Sequence, residues 1–137
     1  MSLKNILICD DNGHPFYNRS FHKFDMVDPS LFSGLISAIG SIGKQLFNEN
    51  IADISFGMNR NSSKIGIISK ELISADKKIF FVFLYSGDLN LKNLRELSTN
   101  IYIETKSMLV NRLNDVNKFR FKVDNLLDTR YHGLKNW

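Results

Sequence analysis

The chain is predicted to be an α/β protein: one five-stranded, mainly antiparallel sheet with helices on both faces. Three observations lead there. Residues 6–9 (Ile6, Leu7, Ile8, Cys9) and 79–85 (Ile79 to Tyr85) are apolar at every position. A strand with one wet face alternates apolar and polar residues, so strands without alternation need cover on both sides and belong in the middle of a sheet. The third observation is the order of patterns along the chain: strand, strand, helix, three strands, helix, helix. One helix then covers one face and two cover the other, with the first and fifth strands central.

The elements follow in order. The first strand spans 4–10. Asn12-Gly13 reads as a hairpin turn, because both residues tolerate positive φ. The second strand covers 16–21, and Pro15 at its start removes a ladder donor, which favours an edge. Asp28-Pro29 is a helix start: aspartate caps free amides and proline fits the first turn. That helix is predicted over 29–47, ending at Asn48-Glu49-Asn50. Ile54, Phe56 and Met58 alternate with polar residues, as in a half-buried strand, and 59–63 form its turn. The next strand covers 64–69, and 70–78 form a looser connection to the strand 79–85. A long helix starts at Asn90 or Leu91. Its stripe is Leu94, Leu97, Ile101, Met108 and Leu109, widened by Leu91, Tyr102 and Leu113. Asn114-Asp115 interrupts it. The last helix spans 118–130 with Phe119, Val123, Leu126 and Leu127 as its apolar side, and Gly133 ends it. Residues 1–130 are expected to form a single domain and 131–137 a short tail.

Composition narrows the classes. The 137 residues are 43% hydrophobic and 23% charged, ordinary for a folded domain. A net charge of +4 is mild and its lysines are scattered. Nucleic-acid binders concentrate charge on one face with aromatics between, so nucleic acid is not expected as a partner. The single cysteine, Cys9, cannot form an internal disulfide, which suits a reducing compartment. Met1-Ser2-Leu3-Lys4 runs straight into a strand, leaving no room for a signal peptide. No apolar run approaches the ~20 residues of a membrane span. A cytoplasmic location is expected, with no integral membrane segment; peripheral association through partners is compatible.

Catalytic and cofactor motifs are missing. Asp10-Asp11-Asn12-Gly13 has the wrong spacing for a calcium loop and is explained by a hairpin. His14, His22 and His132 are too scattered for a metal set. Gly43-Lys44 is followed by Gln45, so there is no phosphate loop. Ser33, Ser37 and Ser41 form a narrow polar ridge on a helix, not a triad. No Gly-x-Ser-x-Gly elbow occurs. The chain is expected to be a non-enzyme without cofactor. Lys118, Arg120 and Lys122 alternate with Phe119 and Phe121, which is read as a helix docking its phenylalanines while its cations stay in water.

The helix 29–47 is the most informative element. Leu31, Leu35, Ala38, Ile39, Ile42 and Leu46 form one stripe, and Phe32, Ile36 and Phe47 extend it beyond the ~100° that one buried face needs. Gly40 and Gly43 border the extension, at ~1 kcal/mol each relative to alanine, and are easiest to explain where another backbone comes close. Either the extension is a docking surface or homodimer seam, or a broad sheet absorbs the whole arc. The candidate partner-binding residues are Phe32, Ile36, Gly40, Gly43 and Phe47 on the helix, with Ile54, Phe56 and Met58 on the neighbouring edge strand.

The element order, with residues 6–15 (Ile6 to Pro15), 28–39 (Asp28 to Ile39) and 80–85 (Phe80 to Tyr85), resembles the longin domain family within the profilin-like, roadblock-related folds. The helix 29–46, with Gly34 and Gly43-Lys44, is similar to that of stand-alone archaeal or eukaryotic-like members. A first strand in place of a first helix favours longin over roadblock. The resemblance implies a β-β-α-β-β-β-α-α domain with sheet order 2-1-5-4-3. It also implies protein–protein work in membrane-trafficking assemblies, or in assemblies that regulate a small GTPase. The partner would be a small GTPase or another longin- or roadblock-type chain, and a homodimer is compatible. No heptad repeat or anchor follows the domain, so fusion by this chain itself is not expected. The alternative is a profilin-like small-ligand sensor, which needs a pocket with converging polar groups, Tyr85 and Tyr102 being the candidates; less favoured is nucleic-acid binding.

Overall fold

The structure, a computed structural model, describes residues 2–25, 28–59, 61–88, 90–111, 115–131 and 133–134. Expectations attached to Leu113, Asn114, His132 and residues 135–137 lie outside these. The elements are β1 (Ser2–Asp10), β2 (Pro15–Ser20), α1 (Pro29–Phe47), β3 (Asp53–Ser55), β4 (Ser63–Leu72), β5 (Lys77–Ser86), α2 (Leu91–Val110) and α3 (Val116–Arg130). The sheet order is β2-β1-β5-β4-β3, and each pairing is antiparallel. This is the longin-like architecture expected above.

The two uninterrupted apolar runs lie side by side, with Cys9 opposite Phe80 and Ile6 opposite Phe83. Their alternate residues feed two cores. Ile6, Ile8, Ile79, Phe81, Phe83 and Tyr85 pack under α2 and α3. Leu7, Cys9, Phe80 and Val82 pack under α1. A register irregularity between Leu3 and Asn5 puts Leu3 on the same face as Ile6 despite the odd spacing. Leu94, Leu97, Ile101 and Leu109 of α2 and Phe119, Val123, Leu126 and Leu127 of α3 are buried. Thr105 and Ser98 share that face of α2; their hydroxyls donate to the Ile101 and Leu94 carbonyls at 2.6 and 2.8 Å, which satisfies them inside the core. Asp28, Asn90 and Asp115 cap the three helices with their side chains.

Four expectations need correction. The half-buried strand 54–58 is only Asp53–Ser55, and Phe56 and Met58 are exposed in the turn beyond it. The loose connection 70–78 is mostly strand: β4 continues to Leu72, Ile73–Ala75 make a single 3-10 turn, and β5 begins at Lys77. Asp76, in the left-handed region at φ 48°, closes that turn. Leu91 does not widen the α2 core stripe, since it is exposed at the start of the helix. In the first hairpin Asn12 does not take positive φ; among residues 11–14 only Gly13 does, at 83°. The turn is instead closed by the Asp10 carboxylate, which accepts from the Asn12 and His14 amides, each at 2.9 Å.

Gly13 also meets α1. A Cβ there would lie 3.0 Å from the Gly34 Cα, a backbone atom that cannot move aside easily. Gly13→Ala is therefore expected to cost about 2 kcal/mol, combining unfavourable φ and the clash. Gly34→Ala, whose Cβ has nothing within 4 Å, should be neutral or stabilising. Urea midpoints of the two variants check this.

Candidate interaction surface

Helix α1 sits on the sheet by its small residues. Ser33 is fully buried and donates to the Pro29 carbonyl at 2.7 Å, while the Ser37 hydroxyl donates to the carbonyl of Asp11 in the hairpin turn. Ile36, at 0% exposure, is the apolar plug between them. It packs in the core with Leu7, Cys9, Ile65, Ile67, Phe80 and Val82. Phe32 is half-buried against the same cluster. A Cβ on Gly40 would lie 3.6 Å from Ile51 and Phe80 of this same chain, and one on Gly43 3.8 Å from the Glu49 carbonyl. So Ser33, Ser37 and Gly40, with Ile36 and Phe32 of the expected extension, face the sheet, whereas Ser41 and Phe47 are exposed.

The larger stripe is on the outside. Leu31 is 73% exposed, Leu35 53%, Ile42 54% and Leu46 69%. Ala38 is exposed too, and Ile39 is half-buried. Successive helical residues are ~100° apart, which places Leu46, Leu35, Ile42 and Leu31 roughly 80–140° from Ile36 and further still from Gly40. The stripe read as core is therefore solvent-facing, and the extension read as a docking surface is core. Phe47 lies on the sheet side but at the last turn, and is exposed. Ile54 is half-buried against the core under α1. Phe56 and Met58 stand free at the β3–β4 turn. An apolar groove of about 680 Å³ adjoins the start of α1, with Phe24, Phe32, Leu31 and Leu35 among its walls.

Sequence reasoning missed a polar centre at the hairpin. Asp10 is buried at the end of β1. Besides the two turn amides, its carboxylate meets His14 Nδ1 at 3.1 Å and Lys77 Nζ at 3.2 Å. Burial alone would raise its pKa, but the His14 amide and ring and the Lys77 ammonium outweigh this and hold it below the ordinary carboxylate value. Lys77 also lies 5.2 Å from the Phe16 ring centroid. The only signal in the sequence was an aspartate two residues before Asn-Gly, the position from which a side chain can close its own turn. A second polar network ties β2 to α3: the Tyr17 hydroxyl donates to Asp124 at 2.6 Å, and Arg19 pairs with Asp128 at 2.8 Å.

Little here supports chemistry. Cys9 is fully buried, and burial pushes its thiol up to about 12 despite a hydrogen bond with Ser33. Such a thiol stays protonated and inert. No group of three metal-ligating side chains occurs among the described residues, and no helix there is long and apolar enough to cross a membrane. In the basic-aromatic segment, Phe119 docks as expected but Phe121 is exposed. Arg120 is exposed, as expected of a cation on this helix, and its Nε also donates to the Phe16 carbonyl at 3.0 Å on the β2 edge.

No protein-family model matches the chain, and no curated protein matches it. Among solved structures, the chain is similar to the gliding protein MglB of Thermus thermophilus, with 12% identity over 61% of each chain and a TM-score of 0.42. It is similar to Myxococcus xanthus MglB, with 16% identity, 68% of this chain and 73% of that one covered, and a TM-score of 0.43. A third likeness is an MglB with tetrameric arrangement, with 8% identity, 88% and 79% of the two chains covered, and a TM-score of 0.44. The chain spans less than two thirds of the Thermus protein's length. At these identities no residue role carries over.

Proposed function

We propose that the chain is a non-enzymatic protein–protein interaction module of a small-GTPase regulatory or membrane-trafficking assembly, working in the cytoplasm through the outer face of α1. The observation that carries this reading is the exposed stripe of Leu31, Leu35, Ile42 and Leu46 on a helix whose other side already holds it to the sheet. Contiguous exposed apolar surface of this kind marks an interface. The partner class, a small GTPase or another longin- or roadblock-type chain, comes from the family resemblance; a homodimer through the same face is the simplest form. Phe47, Phe56 and Met58 remain candidate contacts, whereas Phe32, Ile36, Gly40, Gly43 and Ile54 support the surface from beneath.

The ligand-sensing alternative needs a chamber between sheet and helices. Both sheet–helix layers are filled by fully buried side chains among the described residues, from Phe81, Phe83 and Phe119 on one side to Leu7 and Ile36 on the other. Tyr102 donates to the Glu71 carbonyl at 3.0 Å at the sheet margin and does not point to such a chamber.

The test is the double variant Leu35→Ser with Leu46→Ser. Its urea midpoint should stay close to that of the parent, since exposed substitutions cost ~0.5 kcal/mol or less each. Sedimentation should show loss of any self-association, and titration against small GTPases loaded with GDP or a GTP analogue should show loss of binding. A parent protein that is monomeric at high concentration and binds none of them, or a variant that unfolds, defeats the reading.

A further inference from the structure

Strand β4 runs from Ser63 to Leu72, but β3 covers only the first part of its outer side. The pairing joins Asp53, Ile54 and Ser55 to Gly66, Ile65 and Lys64. It is extended at its ends by bonds from the Phe56 amide to the Ser63 carbonyl and from the Ile67 amide to the Ala52 carbonyl, both 2.9 Å. In an antiparallel strand alternate residues turn both backbone groups to the same neighbour. Ser63 and Ile67 face β3, so Ser69 and Glu71 face the same way, beyond the point where β3 has ended. The Ser69 amide and carbonyl and the Glu71 amide meet no partner among the described residues. The Glu71 carbonyl accepts from the Tyr102 hydroxyl, which closes the far end of the gap. The Ser69 hydroxyl oxygen is buried and also unpartnered. A groove of about 330 Å³ follows this step in the sheet, with Asn50 and Ile51 on one side and Tyr85, Leu91 and Leu94 on the other.

We propose that the outer side of β4 over residues 67–71 receives an extended segment of a partner protein as an added strand. The chemistry selects this occupant. Unpaired amide and carbonyl groups at two-residue spacing are the pattern that a strand satisfies and that a helix, its own backbone bonds already made, does not. The gap is about 13 Å long, room for about four extended residues. Their side chains would fall alternately on Ile51, so that set is apolar, and on the side of Leu91, Leu94 and Arg95, where threonine suits both the leucines and the guanidinium. Natural edges are commonly blunted by proline, bulges or charged side chains; residues 67–71 contain no proline, Lys70 is turned away to the Thr99 hydroxyl of α2 at 3.0 Å, and Glu71 and the Tyr102 hydroxyl stand at the far end. The site is separate from the α1 face and does not depend on it.

The test uses acetylated and amidated hexapeptides of the form Thr-X-Thr-X-Thr-X, with X valine, leucine, isoleucine or phenylalanine, added at millimolar concentration to the labelled full chain. Amide exchange of Ser69 and Glu71 should slow at least tenfold with one or more of them, and the same peptides N-methylated on alternate amides should have no effect. Ser69→Pro removes the outward donor together with the hydroxyl and leaves the ladder to β5, since the residues that bond to β5 are its neighbours; Ser69→Ala, which removes the hydroxyl alone, is its control. Ser69→Pro should keep the fold and lose at least tenfold in peptide affinity. Leu35→Ser should bind as the parent does, which separates this site from the helix face. Unchanged exchange with every peptide overturns the proposal, as does undiminished binding of the N-methylated forms. Should Ser69→Pro not fold, the N-methylated peptides decide from the ligand side. Protection of Ser69 and Glu71 that rises with protein concentration alone assigns the gap to a second copy and also overturns it.

Discussion

Ile36→Ser is expected to destabilise the protein by about 4 kcal/mol, a large fraction of the roughly 5–15 kcal/mol of a typical domain. The isoleucine is fully buried among Leu7, Cys9, Phe80 and Val82. Deleting its outer carbons leaves a cavity worth ~2–5 kcal/mol, and the hydroxyl enters an apolar site. For a chain of this length that is a fall in melting temperature of roughly 15 °C. One residue away, Leu35→Ser should change stability by ~0.5 kcal/mol or less, because that side chain is already half in water. Thermal melts of the two single variants, with Ile36→Val as a mild control, decide which side of α1 is core. A large loss at Leu35 and tolerance at Ile36 would mean that the helix is rotated relative to the description above.

Asp10→Ala should cost about 3 kcal/mol. One buried carboxylate there closes the β1–β2 turn through the amides of Asn12 and His14 and holds Lys77 at the start of β5. Charge-assisted hydrogen bonds of this kind contribute more than neutral ones, and removing the acceptor leaves the Lys77 ammonium, three-quarters buried, without its counter-ion. The same group sets an acid limb. Its pKa in the folded protein is below the ordinary value, so the unfolded chain binds this proton first as pH falls. The stabilisation is complete above about pH 4 and is lost as pH drops from there through the lower folded value. Asp10→Asn keeps most of the turn geometry and loses this limb. Urea midpoints at neutral pH and at about pH 3 should converge between parent and Asp10→Asn. A gap between them that stays constant with pH would show that the carboxylate's charge plays no part.

Much of the fold was legible before any coordinates. The absence of alternation at 6–9 and 79–85 predicts two strands covered on both faces, and they are the central pair. Asp28-Pro29 and Asn48 mark the ends of α1 to the residue, because capping and the left-handed stop are local events written in side chains and backbone freedom. Leu94, Leu97, Ile101 and Leu109, like Phe119, Val123, Leu126 and Leu127, point to the faces that are buried, since on α2 and α3 the apolar side and the sheet side coincide.

The candidate surface was harder to read for a specific reason. Hydrophobic periodicity reports where apolar residues lie on a helix, not which side meets the sheet. On α1 these differ. The sheet side is chosen by close approach: Gly13 against Gly34, Ser37 on the Asp11 carbonyl, Ser33 under the helix, with Ile36 as the one full-sized plug. Small residues win that side because a backbone turn has to fit against it. The leucine-rich side is then left outward. The extent of β3 was misjudged likewise: Ile54, Phe56 and Met58 alternate as a strand does, yet pairing with β4 sustains only Asp53–Ser55 before Gly57 turns the chain at φ 79°.

By itself, then, the amino-acid order determined the sequence of strands and helices, where α1 starts and stops, and which strands lie innermost. These depend on backbone preference and on the need of two-sided apolar strands for two-sided cover. Only the tertiary structure decided which flank of α1 is left for a partner, how much of β4 stays unpaired, and that Asp10 joins two strand ends. Each of these depends on distances between segments far apart in the chain, where steric fit and hydrogen-bond completion outweigh the average polarity of a face.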